Sequence, residues 1–118
     1  MTEPLPTTQL VELEPANYPK FLDLVRIYLN ADDAESAARI LTMSSEHLLA
    51  GGQSEEFSKW ISEILVRDPN QLAGLRLLVR YDSWANDPDG FCRSLERLYN
   101  AASAEGAVED ERYALAQL

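Results

Sequence analysis

Cysteine occurs once in the 118-residue chain, as Cys92, so no internal disulfide can form, and a reducing compartment is the expected setting. Positive charge is also scarce. Ten Lys and Arg stand against twenty Asp and Glu, a net charge of −10 that repels nucleic-acid phosphates and anionic lipid headgroups. Binding to nucleic acid or to a membrane surface is therefore not expected. No stretch approaches the roughly 20 apolar residues of a membrane span. Met1-Thr2-Glu3-Pro4 lacks the positive start and apolar run of a secretory signal. These absences lead us to expect a cytoplasmic protein. The chain has no glycine-rich phosphate loop, no HExxH and no CxxC, so the strong catalytic, metal and cofactor motifs are missing and a non-enzymatic protein is expected.

What is present suits one folded domain: 46% hydrophobic and 25% charged residues, with only five Gly and six Pro. Pro4, Pro6 and Pro15 break up residues 1–17, which read as a poorly ordered lead-in to a single domain over 18–118. From Tyr18 onward apolar residues recur at helical spacing, with no strand-like alternation. Breaks at Asp32-Asp33, Gly51-Gly52, Asp68-Pro69-Asn70, Asn86-Asp87-Pro88 and Gly106 divide the chain into helices near 18–31, 34–50, 54–67, 70–85, 88–105 and 108–118. Asp87 followed by Pro88 is a helix start, Gly51, Gly52 and Gly106 can end helices with a left-handed residue, and Ser54 can cap the third helix. The expected fold is all-α.

Laid on itself at an offset of 54 residues, the chain repeats weakly. Leu24-Val25-Arg26 meets Leu78-Val79-Arg80, while Ala31, Asp33, Arg39, Leu41, Gly52 and Glu55 meet Ala85, Asp87, Arg93, Leu95, Gly106 and Glu109. The repeat implies an α-solenoid-like array of about six antiparallel helices in two stacked three-helix units. Helix 3 is amphipathic and belongs on the outside. Helices 1 and 4 are apolar around most of their circumference, with only narrow polar strips: Asp23, Arg26 and Asn30 on the first, Arg76, Arg80 and Ser83 on the fourth.

Phe21, Leu24, Tyr28, Ala37 and Leu41, a second register of Leu41, Leu48, Gly52, Phe57, Ile61 and Pro69, and a third of Leu75, Leu78, Asn86, Phe91 and Leu95 resemble the tetratricopeptide repeat family. Val25, Val79 and Phe91 stand where that pattern usually has small residues, and the first two registers overlap, so the resemblance is to a divergent member. It implies a helix-turn-helix array with no activity of its own, binding a peptide or partner helix on its inner face. The inner positions it implies are Leu22, Arg26, Leu29 and Asn30, then Arg39, Thr42 and Glu46, then Arg76, Arg80, Ser83 and Trp84.

Arg76, Arg80 and Trp84 follow one another at helical-turn spacing and carry the strongest candidate site, with Ser83, Arg26, Asn30 and Arg39 as further partner-binding positions. Such arginines can grip an acidic or carboxylate group of a protein or peptide partner while Trp84 packs on an apolar side chain. The competing expectation is that the arginines pair with Asp82, Glu109 or other local acids and that Trp84 is core. His47 and Cys92 are the only pair available for nucleophilic catalysis; their positions in the repeat keep them apart, and Cys92 is expected in the core, with His47 partly exposed. Leu115 and Leu118 on the last helix leave self-association, or packing into a larger complex, as the alternative function. A small helical enzyme or ligand carrier is a third, weaker one.

Overall fold

The computed structural model describes residues 18–118; the expected lead-in over 1–17 lies outside them. Six α-helices follow one another: α1 (Tyr18–Asn30), α2 (Ala34–Ala50), α3 (Ser54–Arg67), α4 (Leu72–Trp84), α5 (Pro88–Glu105) and α6 (Val108–Gln117), with no strand among the described residues. The fold is the all-α helical array expected. Its axes of 41, 29 and 22 Å describe an elongated stack of helices.

The two units are related with single-residue fidelity. The starts of α1, α2 and α3 recur in α4, α5 and α6 at an offset of 54 residues, and the turn chemistry recurs with them. Asp32 and Asn86, at φ 62° and 58°, occupy the left-handed region, as do Gly52 and Gly106 at 83° and 73°. Asp and Asn are the side chains that best tolerate this conformation. In every case the next residue's N–H reaches back to a carbonyl in the last helical turn: Asp33 to Tyr28 (2.8 Å), Asp87 to Asp82 (3.1 Å), Gln53 to Leu48 (2.9 Å) and Ala107 to Ala102 (2.8 Å). Asp33 and Asp87 then cap the next helix, their carboxylates accepting from the N–H groups of Ser36 and Gly90, each at 3.1 Å. At Asp33, hydrogen bonds from the Ser36 side chain and backbone hold the carboxyl below its ordinary pKa.

Some local expectations need correction. Ser54 is not a cap; it is the first residue of α3, and Gln53 before it makes no side-chain cap bond. The fourth helix begins two residues later than expected, since Gln71 N–H bonds the Asp68 carbonyl and the chain is still turning through Pro69-Asn70. Cys92 is exposed, although its counterpart Ala38 is completely buried. The physical reason is that α2 packs against α1, α3 and α4, whereas α5 packs chiefly against α4 and α6, which leaves its Cys92 side open among the described residues.

One continuous core runs through both units. Phe21, Val25, Leu41 and Leu48 of unit one join Leu75, Val79, Leu95 and Leu98 of unit two, all at most 3% exposed. Three buried serines are satisfied locally: Ser44 donates to the Ile40 carbonyl (2.9 Å), Ser45 to that of Thr42 (3.1 Å), and Ser94 to Asp82. The seam between units is set by Gly74, where a Cβ would stand 3.0 Å from Leu65 Cδ2 and 3.1 Å from Ile64 Cγ2. A Cβ here would make Leu65 and Ile64 give way by a few tenths of an ångström, so glycine favours the close approach of α4 to α3.

Candidate functional site: a groove between α4 and α6

The third helix of each unit sits differently. In unit one α3 packs back onto α1. In unit two α6 lies along α5 and is joined to α4 by a bidentate ion pair, with Arg76 Nε donating to Asp110 Oδ1 at 2.8 Å and Nη2 to Oδ2 at 2.9 Å. That bond to Asp110 raises the pKa of the Arg76 guanidinium. A groove of about 810 Å³ lies between the two helices, and both members of the pair line it.

The floor of this groove is apolar: Leu49 from α2, Val79 from α4 and Leu98 from α5. Trp84 from α4 and Tyr113 from α6 are its aromatic lining, 50% and 46% exposed. Polar groups occupy the remainder, with Ser83, Arg76 and Arg80 on α4, Glu46 on α2, and Glu109 and Asp110 on α6. Arg80 donates to Ser45 Oγ, which ties α4 to α2, and it makes no ion pair among the described residues. Tyr81 stacks obliquely between Phe57 and Trp84, at 6.5 and 6.1 Å between ring centroids, and so braces the indole from within the core. An apolar floor with aromatic sides and a few charged groups is suited to binding a side-chain-bearing segment.

Of the residues singled out from the sequence, Arg76, Arg80, Ser83 and Trp84 are brought together in this groove. Arg76 is ion-paired, but to Asp110 rather than to Asp82 or Glu109, and Trp84 is half exposed rather than core. The other three candidates are elsewhere. Arg26 pairs with Asp23 at 3.4 Å and Arg39 with Glu35 at 3.8 Å, both on exposed surfaces, while Asn30 is exposed at the end of α1; none of them lines the groove. Arg26 and Asn30 are the unit-one counterparts of Arg80 and Trp84, yet they take no part in the groove. Leu29, expected on the inner face, is a core residue at 3% exposure. Thr42 is exposed and its hydroxyl donates to the Ala38 carbonyl.

Sequence reasoning missed Tyr113, Asp110, Leu98, Leu49 and Val79 as lining residues. The repeat carried a signal for the first: Tyr113 falls on Lys59 and Trp84 on Asn30, two aromatics where the other unit has polar side chains. His47 and Cys92 are both exposed and neither lines the groove. Among the described residues no three His, Cys, Asp or Glu side chains gather as a metal site, and no helix is long and apolar enough to cross a membrane. Compared with protein-family models, with curated proteins and with solved structures, the chain finds no match.

Proposed function

We propose that this is a non-catalytic protein-interaction module, a divergent helical-hairpin adaptor of tetratricopeptide type, whose groove between α4 and α6 receives a peptide or helix of a partner protein. One observation carries the reading. At positions equivalent within the repeat, unit one has Asn30 and Lys59 where unit two has the half-exposed Trp84 and Tyr113. The repeat folds without aromatics there, so their presence in unit two answers to something other than the packing of the unit. Exposed aromatics beside a dry apolar floor are the usual anchors of protein interfaces.

Trp84→Asn with Tyr113→Lys therefore installs residues that the fold already accepts at those positions. The double variant is expected to keep its helical circular dichroism and thermal midpoint while losing the partner that wild-type protein captures from an extract of cells expressing it. Capture undiminished in the folded variant overturns the reading.

Leu115 and Leu118, 55% and 54% exposed, support a second reading in which α6 packs on another copy or in a larger complex. Its test is sedimentation: a mass independent of concentration removes the self-association form of it.

A further inference from the structure

A second depression of about 620 Å³ adjoins the groove, and Arg76 lines both. Its character is opposite. Five carboxylates line it, those of Asp32, Asp33, Glu35, Asp68 and Glu105. Against them stand Arg67 and Arg76, already engaged by Glu63 at 2.9 Å and by Asp110. Asp32, Asp68 and Glu105 are exposed and have no ion-pair partner among the described residues.

The trough is thus graded along its length. It is aromatic and apolar around Trp84 and Tyr113, bridged at Arg76–Asp110, and acidic beyond. The molecule as a whole, at −10, adds a field that attracts cations and repels anions. Among the described residues there is no sheet edge for an extended peptide to join, whereas grooves between helices accept the apolar face of an amphipathic helix. Resting on the reading above, we infer that the occupant is an amphipathic partner helix with a cluster of lysines or arginines at one end. Its apolar face lies on Trp84 and Tyr113 above Leu49 and Val79, and its cationic end crosses Arg76 to meet Asp32, Asp68 and Glu105.

Two fluorescein-labelled peptides of about 16 residues, spanning ~24 Å as helices, share one apolar face and end in a cluster of either lysines or glutamates. Fluorescence anisotropy measures their affinities for the full chain. The lysine peptide is expected to bind at least about tenfold more tightly at low salt, with the advantage shrinking as salt is added. Asp32→Asn with Asp68→Asn and Glu105→Gln should remove most of that advantage and leave the apolar component of binding. Trp84→Asn with Tyr113→Lys should abolish binding of both peptides. Tighter binding of the glutamate peptide, lost in the aromatic variant, overturns the cationic partner and leaves the groove as a receptor. Lysine-peptide binding that ignores the aromatic variant is attraction to an acidic chain and overturns the inference. Binding of neither peptide overturns both the inference and the groove as a helix receptor.

Discussion

Units one and two share their turns, the Asp33 and Asp87 caps and many buried positions, yet the groove opens beside the third helix of unit two. Phe21, Val25 and Leu41 superpose in sequence on Leu75, Val79 and Leu95, and all six are buried. The differences fall on the third helix and on what surrounds it. Unit one presents Phe57 and Ile61 on α3, both at most 1% exposed beneath α4; at the same positions unit two has Glu111 and the 55% exposed Leu115. Leu49, on the groove floor, corresponds to the exposed Ser103. Each third helix therefore fits what it packs on: apolar where α3 is covered by the second unit, mixed on the exposed side of α6. On α1, Lys20 and Asp23 take the places of Gly74 and Leu77 of α4. A repeat can hold its scaffold constant while changing the surface that meets something else.

The sharpest way to break this equivalence is at the seam. Gly74→Lys inserts the unit-one residue where a Cβ already crowds Leu65 and Ile64, and it brings a charge into a packed interface. The expected loss exceeds about 3 kcal/mol; urea denaturation followed by circular dichroism measures it, and a loss below about 1 kcal/mol contradicts the close-packed seam. Leu41→Ala and Leu95→Ala probe the two cores in parallel. Both residues are fully buried, and each truncation is expected to cost about 2–5 kcal/mol. Leu41→Ala should be the larger, because α2 is held by α1, α3 and α4 and can relax less around a cavity than α5. Equal or reversed losses would show that the fuller enclosure of α2 does not govern how the core relaxes.

Smaller effects follow at the caps and the bridge. Asp87→Ala removes the acceptor for Gly90 N–H and should cost about 1 kcal/mol, most of it appearing as fraying of the first turn of α5. Asp110→Ala breaks the bidentate pair to a guanidinium that is 53% exposed, so global stability should fall by less than about 1 kcal/mol. Its clearer signature is faster amide hydrogen exchange in α6, with α3 unchanged, because α3 is packed directly on α1 and α2. Unchanged exchange in α6 would mean that packing on α5 alone fixes that helix.

Legibility followed the range of the interactions involved. Helix periodicity, the Asp87-Pro88 start and the glycine stops are local, so α2, α3 and α5 could be bounded from the sequence, and the 54-residue offset then gave the architecture. Arg76, Arg80, Ser83 and Trp84 sit on one side of one helix, which is why sequence spacing alone grouped them. Asp110 lies 34 residues from Arg76 and no local rule connects them, although the two together line the groove. Cys92 was misplaced for a related reason: the repeat gave it Ala38's position, but α2 is enclosed by α1, α3 and α4, whereas α5 packs chiefly on α4 and α6. Arg26 and Asn30 share sequence phase with Arg80 and Trp84 but face no counterpart of α6.

The finest test separates the two homologous caps by acid. Asp33 accepts hydrogen bonds from both the side chain and the backbone of Ser36, and its carboxyl pKa is depressed on folding. At Asp87 the equivalent position is Gly90, which offers only its backbone N–H. A carboxyl depressed in the folded state contributes stability that is fully present above its unfolded pKa and is lost as the pH falls through the folded value. Between neutrality and the top of the ordinary carboxylate range, the Asp33 contribution should therefore be constant, and it should fade only as the medium becomes strongly acid. Asp33→Asn keeps a capping acceptor without the titration, so subtracting its pH–stability profile from that of wild type isolates the step. Ser36→Gly makes the first unit's cap resemble the second's, and it should shift that step toward higher pH. A step that stays in place would show that the Ser36 backbone N–H alone sets the Asp33 carboxyl, and that the two caps are equivalent in energy as well as in geometry.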